Sequence, residues 1–175
     1  MKDRYIYHIL NANASHLSLQ IVTAILLRSA HKHFFILIGE KNKKELYDKI
    51  FLENNKDNYL YFSSFKEFRK SSSFVQKKDC ILMHAGSYLW MLFFFIHQYR
   101  NVNWICWGAG MVLSKRLLSK CSFIVKYLLY NWFNSVVVLM TPELEYARKV
   151  YHIKNVFYIP YIGIKDPLSG YSENR

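Results

Sequence analysis

Acidic residues are scarce in this chain of 175 residues, which has 12 Asp and Glu against 24 Lys and Arg. None of the acidic residues lies between Asp79 and Glu143, and the same stretch contains Arg100 and several other basic residues. The formal charge of +12 therefore includes a long stretch of the second half of the chain in which no acidic residue offsets the basic ones. A field of this sign favours anionic partners such as nucleic acid, anionic lipid or a phosphorylated substrate.

Cysteine is also rare, and the three cysteines, Cys80, Cys106 and Cys121, form no CxxC pair. An odd number without a disulfide framework indicates a reducing compartment. Cys80 and Cys106 lie beside apolar strand residues, where a thiol packs as a small core side chain. No Cys, His and Asp residues have the spacing of metal ligands, so the sequence predicts no metal and no cofactor.

Long hydrophobic runs are missing as well. The longest, from Tyr88 to Ile96, is too short to span a bilayer, and Lys126 interrupts the next candidate. The first residues lead directly into a strand pattern without a signal peptide. The sequence therefore predicts a cytoplasmic protein whose contact with a membrane is peripheral.

Short β-rich runs alternate with helical patterns along the chain, which predicts βαβ units in a doubly wound parallel sheet, an α/β fold. Ser15 and Thr141 are expected to cap two of the helices. The domain is expected to span 1–162, with 163–175 as a linker or frayed tail. Strands are predicted at 5–10, 34–38, 59–62, 80–83, 102–107, 135–140 and 156–159, and helices at 17–30, 43–53, 64–70, 87–98, 113–133 and 141 to about 151.

The loops after the strands are the candidate sites, because open α/β sheets bind ligands beyond the carboxyl ends of their strands. His84 ends the fourth predicted strand beside Gly86, which would let a ligand approach the backbone closely. A neutral imidazole there could act as a base or hydrogen-bond a hydroxyl or phosphate group. Alternatively, His84 caps the next helix or bonds a neighbouring loop.

Two other loops could contribute to the same site. His16 lies near the start of the first helix, where amide groups and the helix dipole favour a phosphate, although a polar loop residue would look the same. The stretch from Trp107 to Gly110 is either a structural turn or the wall of a cleft with Trp107 as a stacking platform. It lacks the third glycine of a dinucleotide fingerprint, so a nicotinamide or flavin cofactor is not expected.

Three more titratable residues have simpler interpretations. His31 and His33 flank Lys32 just before the second strand and are expected to be in solvent. Glu143 falls in the first turn of the last helix, where a carboxylate complements the helix dipole, with catalysis as the alternative.

The predicted helix 113–133 separates into two faces at 100° per residue. Aliphatic residues share one broad side, whereas the opposite side is basic and aromatic. Such a side is typical of a surface that meets anionic lipid headgroups. The alternative is a core helix whose aromatic rings pack under a neighbouring element. The predicted membrane-contact residues are Lys115, Arg116, Lys120, Phe123, Lys126, Tyr127 and Tyr130.

Three short motifs are His84-Ala85-Gly86 followed by Leu89-Trp90, the run from Trp104 to Ala109, and the run from Val156 to Pro160. They resemble the enterobacterial N-acetylfucosaminyltransferase family, which extends the lipid-linked intermediate of enterobacterial common antigen. The opening of the chain, from Tyr7 to His16, resembles this family more faintly. The likeness extends over most of the chain, but it depends on short motifs.

The resemblance implies the N-terminal, Rossmann-like lobe of a two-lobe glycosyltransferase of the GT-B type, at the cytoplasmic face of the inner membrane. Its nucleotide-sugar donor would lie mostly in a second lobe, which leaves the isolated chain incomplete or inactive. The acceptor would be a polyprenyl-diphosphate-linked glycan, and the transferred sugar a deoxyamino sugar such as N-acetylfucosamine.

The resemblance also implies site residues. His84 would contact the acceptor hydroxyl or diphosphate as the catalytic residue. Gly110 stands where the family has an acidic residue, so the role of that carboxylate does not carry over. Together with the loops at the strand ends, the predicted acceptor-binding residues are His16, Gly86, Ser87, Trp107, Gly108 and Gly110.

Two functions of other classes remain as alternatives. One is a non-catalytic remnant or subunit lobe of such an enzyme. The other is a basic nucleic-acid-binding module, which is not expected because the aromatic residues lie largely within apolar strands and helices rather than among exposed lysines and arginines.

Overall fold

The computed structural model describes residues 5–54, 57–84, 87–106 and 119–159, without the side chains of Ser15 and 119–122. The strands are β1 Ile6–Asn11, β2 His33–Ile38, β3 Tyr59–Phe62, β4 Cys80–His84, β5 Val102–Cys106, β6 Ser135–Val138 and β7 Val156–Tyr158. The helices are α1 Ser15–Arg28, α2 Lys44–Glu53, α3 Phe65–Ser71, α4 Tyr88–Ile96, α5 Ser119–Trp132 and α6 Thr141–Lys149. Two 3₁₀ turns lie at Lys41–Lys43 and Ser72–Phe74.

All seven strands run parallel in one sheet with the order β3-β2-β1-β4-β5-β6-β7. The predicted α/β fold with a Rossmann-like parallel sheet is therefore confirmed. The pattern of short apolar strands separated by helices carried this prediction, because each helix returns the chain to the amino edge of the sheet before the next strand.

Two helices have their N-caps one residue earlier than predicted. Ala14 precedes α1, and Met140, which has extended backbone, precedes α6, so Ser15 and Thr141 are already helical. Pro142 consequently lies in the first turn of α6, where its missing N–H costs nothing. By contrast, Ser64 does cap α3, since its Oγ accepts a hydrogen bond from the Glu67 N–H.

The direction in which successive strands are added to the sheet reverses between β1 and β4. The chain moves outward from β1 to β2 and β3, returns to the centre at β4, and then moves outward again to β7. Leu10 of β1 therefore lies opposite Leu37 on one side and His84 on the other. At such a switch point open α/β sheets bind ligands in a crevice at the carboxyl edge, so a crevice is expected beyond the ends of β1 and β4.

Each face of the sheet is covered by a separate group of helices. The helices α1 and α2 cover the face that includes Leu10 and Phe35, and the buried cluster there also contains Leu19, Val22, Tyr47 and Phe51. The helices α3 to α6 cover the opposite face, where the buried cluster is larger and more aromatic. Among its members are Phe68, Trp90, Phe94, Trp104, Tyr130, Phe133 and Tyr151.

Candidate functional site

The loop after β1 forms one side of the crevice and is fixed by its own side chains. The Asn11 side-chain oxygen accepts a hydrogen bond from the Asn13 N–H at 3.0 Å. The Asn13 side-chain oxygen accepts one from the Glu40 N–H at 2.8 Å. Gly39 lies so close that an added Cβ would be 2.7 Å from Asn13 Oδ1 and 2.8 Å from the Ala12 Cβ. The loops after β1 and β2 therefore hold each other in place.

His84 ends β4 at the crevice, as predicted, but its imidazole is buried with 3% exposure. Its Nε2 lies 2.9 Å from Nδ1 of His8, in the middle of β1. The side chain thus lies on the face of the sheet that α1 and α2 cover, at the carboxyl edge.

The bond between His84 and His8 belongs to a longer hydrogen-bonded series, which we call the histidine chain: Ser29, His33, His8 and His84. Nε2 of His8 is 2.7 Å from Nδ1 of His33, and Nε2 of His33 is 2.5 Å from the hydroxyl oxygen of Ser29. His8 also stacks on Phe35, with ring centroids 5.0 Å apart.

The histidine chain crosses three neighbouring strands on a diagonal. His33 begins β2 opposite Ile6, His8 lies two residues further along β1, and His84 is opposite Leu10, two residues further again. Because side chains on a strand return to the same face every second residue, all three imidazoles lie on one face. The series therefore connects the amino edge of the sheet, at Ser29, with the carboxyl edge, at His84.

Burial keeps these imidazoles neutral. It lowers the pKa of His8 to about 2, with further lowering by the neighbouring His84 and His33. It lowers the pKa of His84 to about 3. Burial also lowers the pKa of His33, with a smaller contribution from His31. At neutral pH each imidazole therefore has one N–H donor and one acceptor nitrogen.

His16 and Ser87 lie on the two sides of the crevice, as expected for residues after β1 and β4. His16 is exposed in the first turn of α1, and its Nε2 is 3.0 Å from Nε2 of Gln20. Ser87 is exposed just before α4, and its carbonyl oxygen accepts hydrogen bonds from the first amides of that helix. The other predicted acceptor-binding residues, Gly86, Trp107, Gly108 and Gly110, lie outside the described residues.

The expectation that His33 lies in solvent is wrong. The residue is already the first of β2, so its side chain is directed onto the sheet and bonds His8. His8 was not predicted as a site residue at all. Its position two residues before Leu10 is informative only when the strand order is known, because the order makes β2 and β4 its neighbours.

Glu143 is buried in the first turn of α6, where a carboxylate complements the helix dipole. Its Oε2 accepts a hydrogen bond from the Leu139 N–H at 3.4 Å. The Sγ of Cys106, at the end of β5, lies 3.9 Å from its Oε1. These contacts give Glu143 a structural role between β5 and α6, whereas the catalytic alternative stays untested.

The predicted orientation of α5 is wrong for two of its membrane-contact residues. Tyr130 is fully buried, and Lys126 is 8% exposed with its ammonium group 5.4 Å from the centre of the Tyr88 ring. Tyr130 stacks on Trp104 of β5 at 4.7 Å between centroids, and Phe123 stacks on Tyr151 at 5.5 Å. The helix turns its aromatic side inward because flat rings bury large areas against Trp104 and Tyr151.

The opposite side of α5 is consequently exposed. Ile124 and Leu128 are 59% and 56% exposed, and Tyr127 remains 36% exposed. Of the remaining predicted membrane residues, Lys115 and Arg116 lie outside the described residues, as does the side chain of Lys120. The expectation of a lipid contact through the basic and aromatic side therefore cannot hold for Lys126 and Tyr130.

Within the described ranges, no group of three or more His, Cys, Asp or Glu side chains could hold a metal ion. Among the described residues, Cys80 and Cys106 form no disulfide bond, and Cys106 is buried in the core. The groups at the ends of β1 and β4 are thus hydrogen-bonding groups: the exposed His16 and Ser87, and the buried His84 at one end of the histidine chain. No protein-family model, curated protein or solved structure matches this chain.

Proposed function

We propose that this chain is the acceptor-side lobe of a two-lobe glycosyltransferase. It would take part in the transfer of a deoxyamino sugar, such as N-acetylfucosamine, from a nucleotide-sugar to a polyprenyl-diphosphate-linked glycan. The observation that carries this proposal is the switch point between β1 and β4. His84, from the first of the three family-like motifs, ends β4 at that point, where open α/β sheets bind ligands.

The groups beside the crevice suit an acceptor that carries a diphosphate. His16 lies in the first turn of α1, where backbone amides and the helix dipole favour anions. The stretch between Asp79 and Glu143 has no acidic residue, so it adds no repulsion against such a group. We assign His84 to the contact with the acceptor hydroxyl or diphosphate.

The donor site belongs mainly to the other lobe in enzymes of this type. The described residues form one Rossmann-like sheet with its helices and include no second lobe. Without that lobe, no preorganised groups stabilise the charge that develops on the departing nucleotide. We therefore expect the chain alone to bind the acceptor but to transfer no sugar.

Exposed apolar side chains of two adjacent helices supply a surface for peripheral membrane contact. The helices α4 and α5 pack together through Phe95 and Trp132, whose ring centroids are 5.5 Å apart. Arg100 lies beside Phe95 and Ile96 at one end of this surface. No helix in the described part of the chain has the length and apolar character needed to cross a bilayer. We call the surface the α4–α5 apolar face: Leu89, Phe95, Ile96, Ile124, Val125 and Leu128.

We propose that this face, rather than the basic and aromatic side of α5, inserts into the interface of an anionic membrane. Exposed apolar side chains with a basic residue beside them, as Arg100 is here, suit a helix that lies on such a membrane. A polyprenyl-linked acceptor is held in the bilayer, so a peripheral enzyme that uses it needs a contact of this kind. The location would be the cytoplasmic face of the inner membrane.

Acceptor binding tests the proposed function most directly. The chain would be titrated with a polyprenyl-diphosphate-linked glycan in detergent micelles, and transfer of labelled sugar would be assayed with and without a C-terminal donor lobe. We expect binding without transfer by the chain alone. Binding should weaken when His16 and Ser87 are both replaced by alanine. As a control, His152→Asn should leave acceptor binding unchanged, because His152 is exposed before the start of β7, at the amino edge of the sheet.

Two results would contradict the proposal. If the chain alone transferred sugar at a substantial rate, it could not be half of an enzyme. If it bound no acceptor, the crevice would not be an acceptor site. General acid or base assistance typically contributes about 100- to 10,000-fold in rate. If His84→Ala kept full activity when the chain is combined with a donor lobe, His84 would not belong to the site.

Sedimentation with vesicles tests the membrane contact separately. Replacing Leu89 and Leu128 by serine should reduce sedimentation with vesicles that contain phosphatidylglycerol. The matched control replaces Leu27 and Leu52, which are 69% and 77% exposed on α1 and α2, on the other side of the sheet. Equal losses in the two double variants would show that the α4–α5 apolar face is not the contact. Retention on RNA instead of vesicles would favour the nucleic-acid alternative.

A further inference from the structure

The hydrogen bonds of the histidine chain must all point in the same direction. A neutral imidazole donates through one nitrogen and accepts through the other. His8 has both nitrogens in bonds to imidazoles, to His84 at 2.9 Å and to His33 at 2.7 Å. If His8 donates to His84, it must accept from His33, and the reverse holds as well. The three rings therefore share one of two directions, and the group at the Ser29 end selects between them.

The contacts of Ser29 favour one direction. Its hydroxyl oxygen already accepts a hydrogen bond from the His31 N–H at 3.2 Å. The distance to Nε2 of His33 is 2.5 Å, shorter than the roughly 2.7–3.2 Å usual for a bond donated by an N–H group to oxygen, which favours the hydroxyl group as the donor. With the hydroxyl as donor, Nε2 of His33 is the acceptor, and the hydrogen of that ring must be on Nδ1.

The same rule then determines the other two rings. Nδ1–H of His33 donates to Nε2 of His8, and Nδ1–H of His8 donates to Nε2 of His84. Because its Nε2 accepts, the neutral His84 ring carries its hydrogen on Nδ1. If the bonds pointed in the opposite direction, the Ser29 oxygen would accept hydrogen bonds from both His31 and His33. The hydroxyl hydrogen of Ser29 would then no longer form the short bond to His33.

We propose that Ser29, His33 and His8 are positioning residues that hold His84 in the Nδ1–H form, so that His84 serves as a hydrogen-bond donor and not as a base. The consequence for the ligand rests on the proposed function: His84 would donate to an acceptor oxygen of the diphosphate or of a hydroxyl group, and would remove no proton from it.

Burial supports this inference because it keeps the imidazoles of the histidine chain neutral. A protonated ring would donate through both nitrogens, so the hydrogen bonds of the series could no longer all point the same way. Burial lowers the pKa of His8 to about 2 and that of His84 to about 3, so their protonated forms are absent at neutral pH, and burial also lowers the pKa of His33. The tautomers should therefore be constant between pH 6.5 and pH 8.

Long-range ¹H–¹⁵N correlation spectra of the full, ¹⁵N-labelled chain test the proposal. We expect Nδ1–H tautomers for His33, His8 and His84, and scalar couplings across the two N–H···N bonds. His97 is an internal reference, since its Nδ1 lies 2.8 Å from the Phe93 carbonyl oxygen and must carry a hydrogen to bond it. An Nε2–H tautomer at His8 or His84 would overturn the proposal.

Variants of Ser29 test whether this residue selects the direction. Ser29→Ala should change the tautomers of all three histidines together, toward Nε2–H or a mixture, whereas Ser29→Thr should retain the Nδ1–H forms. Ser63→Ala is the control, because Ser63 bonds Glu67 on another part of the surface. Unchanged tautomers in Ser29→Ala would refute the positioning role. The expected tautomers without acceptor binding would support the inference while contradicting the proposed function.

Discussion

The two faces of the sheet are packed with different chemistry. On the face covered by α3 to α6, aromatic rings dominate: Trp104 stacks on Tyr130 and Phe133, at 4.7 Å and 5.8 Å between centroids. On the face covered by α1 and α2, a smaller apolar cluster lies beside buried imidazoles that are joined by hydrogen bonds. Both clusters are buried, but among the described residues only the second lies beside buried imidazoles.

This difference gives the domain two sources of stability that respond to different conditions. Ring packing depends on shape and buried area and is independent of pH. The imidazoles contribute only while they are neutral, because protonation in a buried site has a large desolvation cost. Acid and the loss of a buried ring should therefore destabilise the protein in different ways.

Acid should destabilise the protein through the face covered by α1 and α2. The pKa of His8 is lowered to about 2 and that of His84 to about 3, so the unfolded chain binds more protons than the native chain below about pH 6.5. Stability is therefore complete above that pH and falls as the pH decreases. Each histidine contributes about 1.4 kcal/mol per pH unit, or roughly 4–5 kcal/mol for the two between pH 6.5 and pH 4.5.

Urea unfolding at pH 7, 5.5 and 4.5 measures this loss. The double variant His8→Leu with His84→Leu removes both partners of one hydrogen bond, and the loss of the bond from His8 to His33 should cost about 1–3 kcal/mol at pH 7. The double variant should lose most of the pH dependence, whereas His31→Gln, at an exposed histidine, should retain it. An unchanged pH dependence in the double variant would assign the effect to other groups.

Removal of one ring from the aromatic face should have a slightly smaller effect that does not depend on pH. Phe94 is fully buried between Phe93 and Tyr99, with ring centroids 5.2 Å and 4.9 Å away. We expect Phe94→Ala to lower the free energy of unfolding by about 3–5 kcal/mol, because it leaves a cavity. Its neighbour Phe95 is 39% exposed, so Phe95→Ala should cost much less in the same urea experiments. Equal losses would mean that burial does not determine the cost here.

A methyl group added at Gly39 should cost about 1–3 kcal/mol, the usual range for overpacking. The new Cβ would lie 2.7 Å from Asn13 Oδ1 and 2.8 Å from the Ala12 Cβ, and the loop after β1 would have to move. Thermal unfolding of Gly39→Ala measures the effect, with Glu40→Ala on the exposed neighbour as the control. A Gly39→Ala protein as stable as the wild type would show that the two loops separate easily.

The smallest effect is expected at the one polar atom of the Trp104 side chain. Its Nε1 is buried and has no hydrogen-bond partner. Trp104→Phe removes this N–H together with part of the ring, so the gain from the polar group partly offsets the lost packing, and we expect a net cost of about 1 kcal/mol. Trp90→Phe, at another buried tryptophan, should cost at least as much. A larger loss at Trp104 would indicate that its N–H is bonded in solution.

The fold could be predicted from the sequence because strand and helix patterns alternate regularly from Ile6 to Tyr158. Each pattern is local, and a series of βαβ units allows few arrangements other than a parallel sheet. The loops at the carboxyl edge followed from the same argument, so the positions of His16, His84 and Ser87 could be predicted as well.

The orientation of α5 could not be predicted from the helix alone. A helical wheel separates the aliphatic side, with Ile124 and Leu128, from the aromatic side, with Tyr130, but both sides are apolar enough to be buried. The choice depends on the surface that the helix meets, and Trp104 and Tyr151 supply rings that stack on the aromatic side.

The histidine chain could not be predicted from the sequence for a different reason. Its members are 25 and 76 residues apart along the sequence, and they meet only because β1 pairs with both β2 and β4 in a defined register. A sequence taken alone shows a histidine at a strand end, but not which strand lies beside it.

The central position of β1 has a consequence during synthesis of the protein. The edge of β1 that pairs with β4 stays open until His84 leaves the ribosome, 76 residues after His8. At about 5–20 residues per second, that interval lasts roughly 4–15 s. Throughout it, an apolar strand with unpaired amide and carbonyl groups is exposed to other nascent chains. The strand that later forms the middle of the sheet is therefore the segment most in need of a chaperone before the second half of the domain is made.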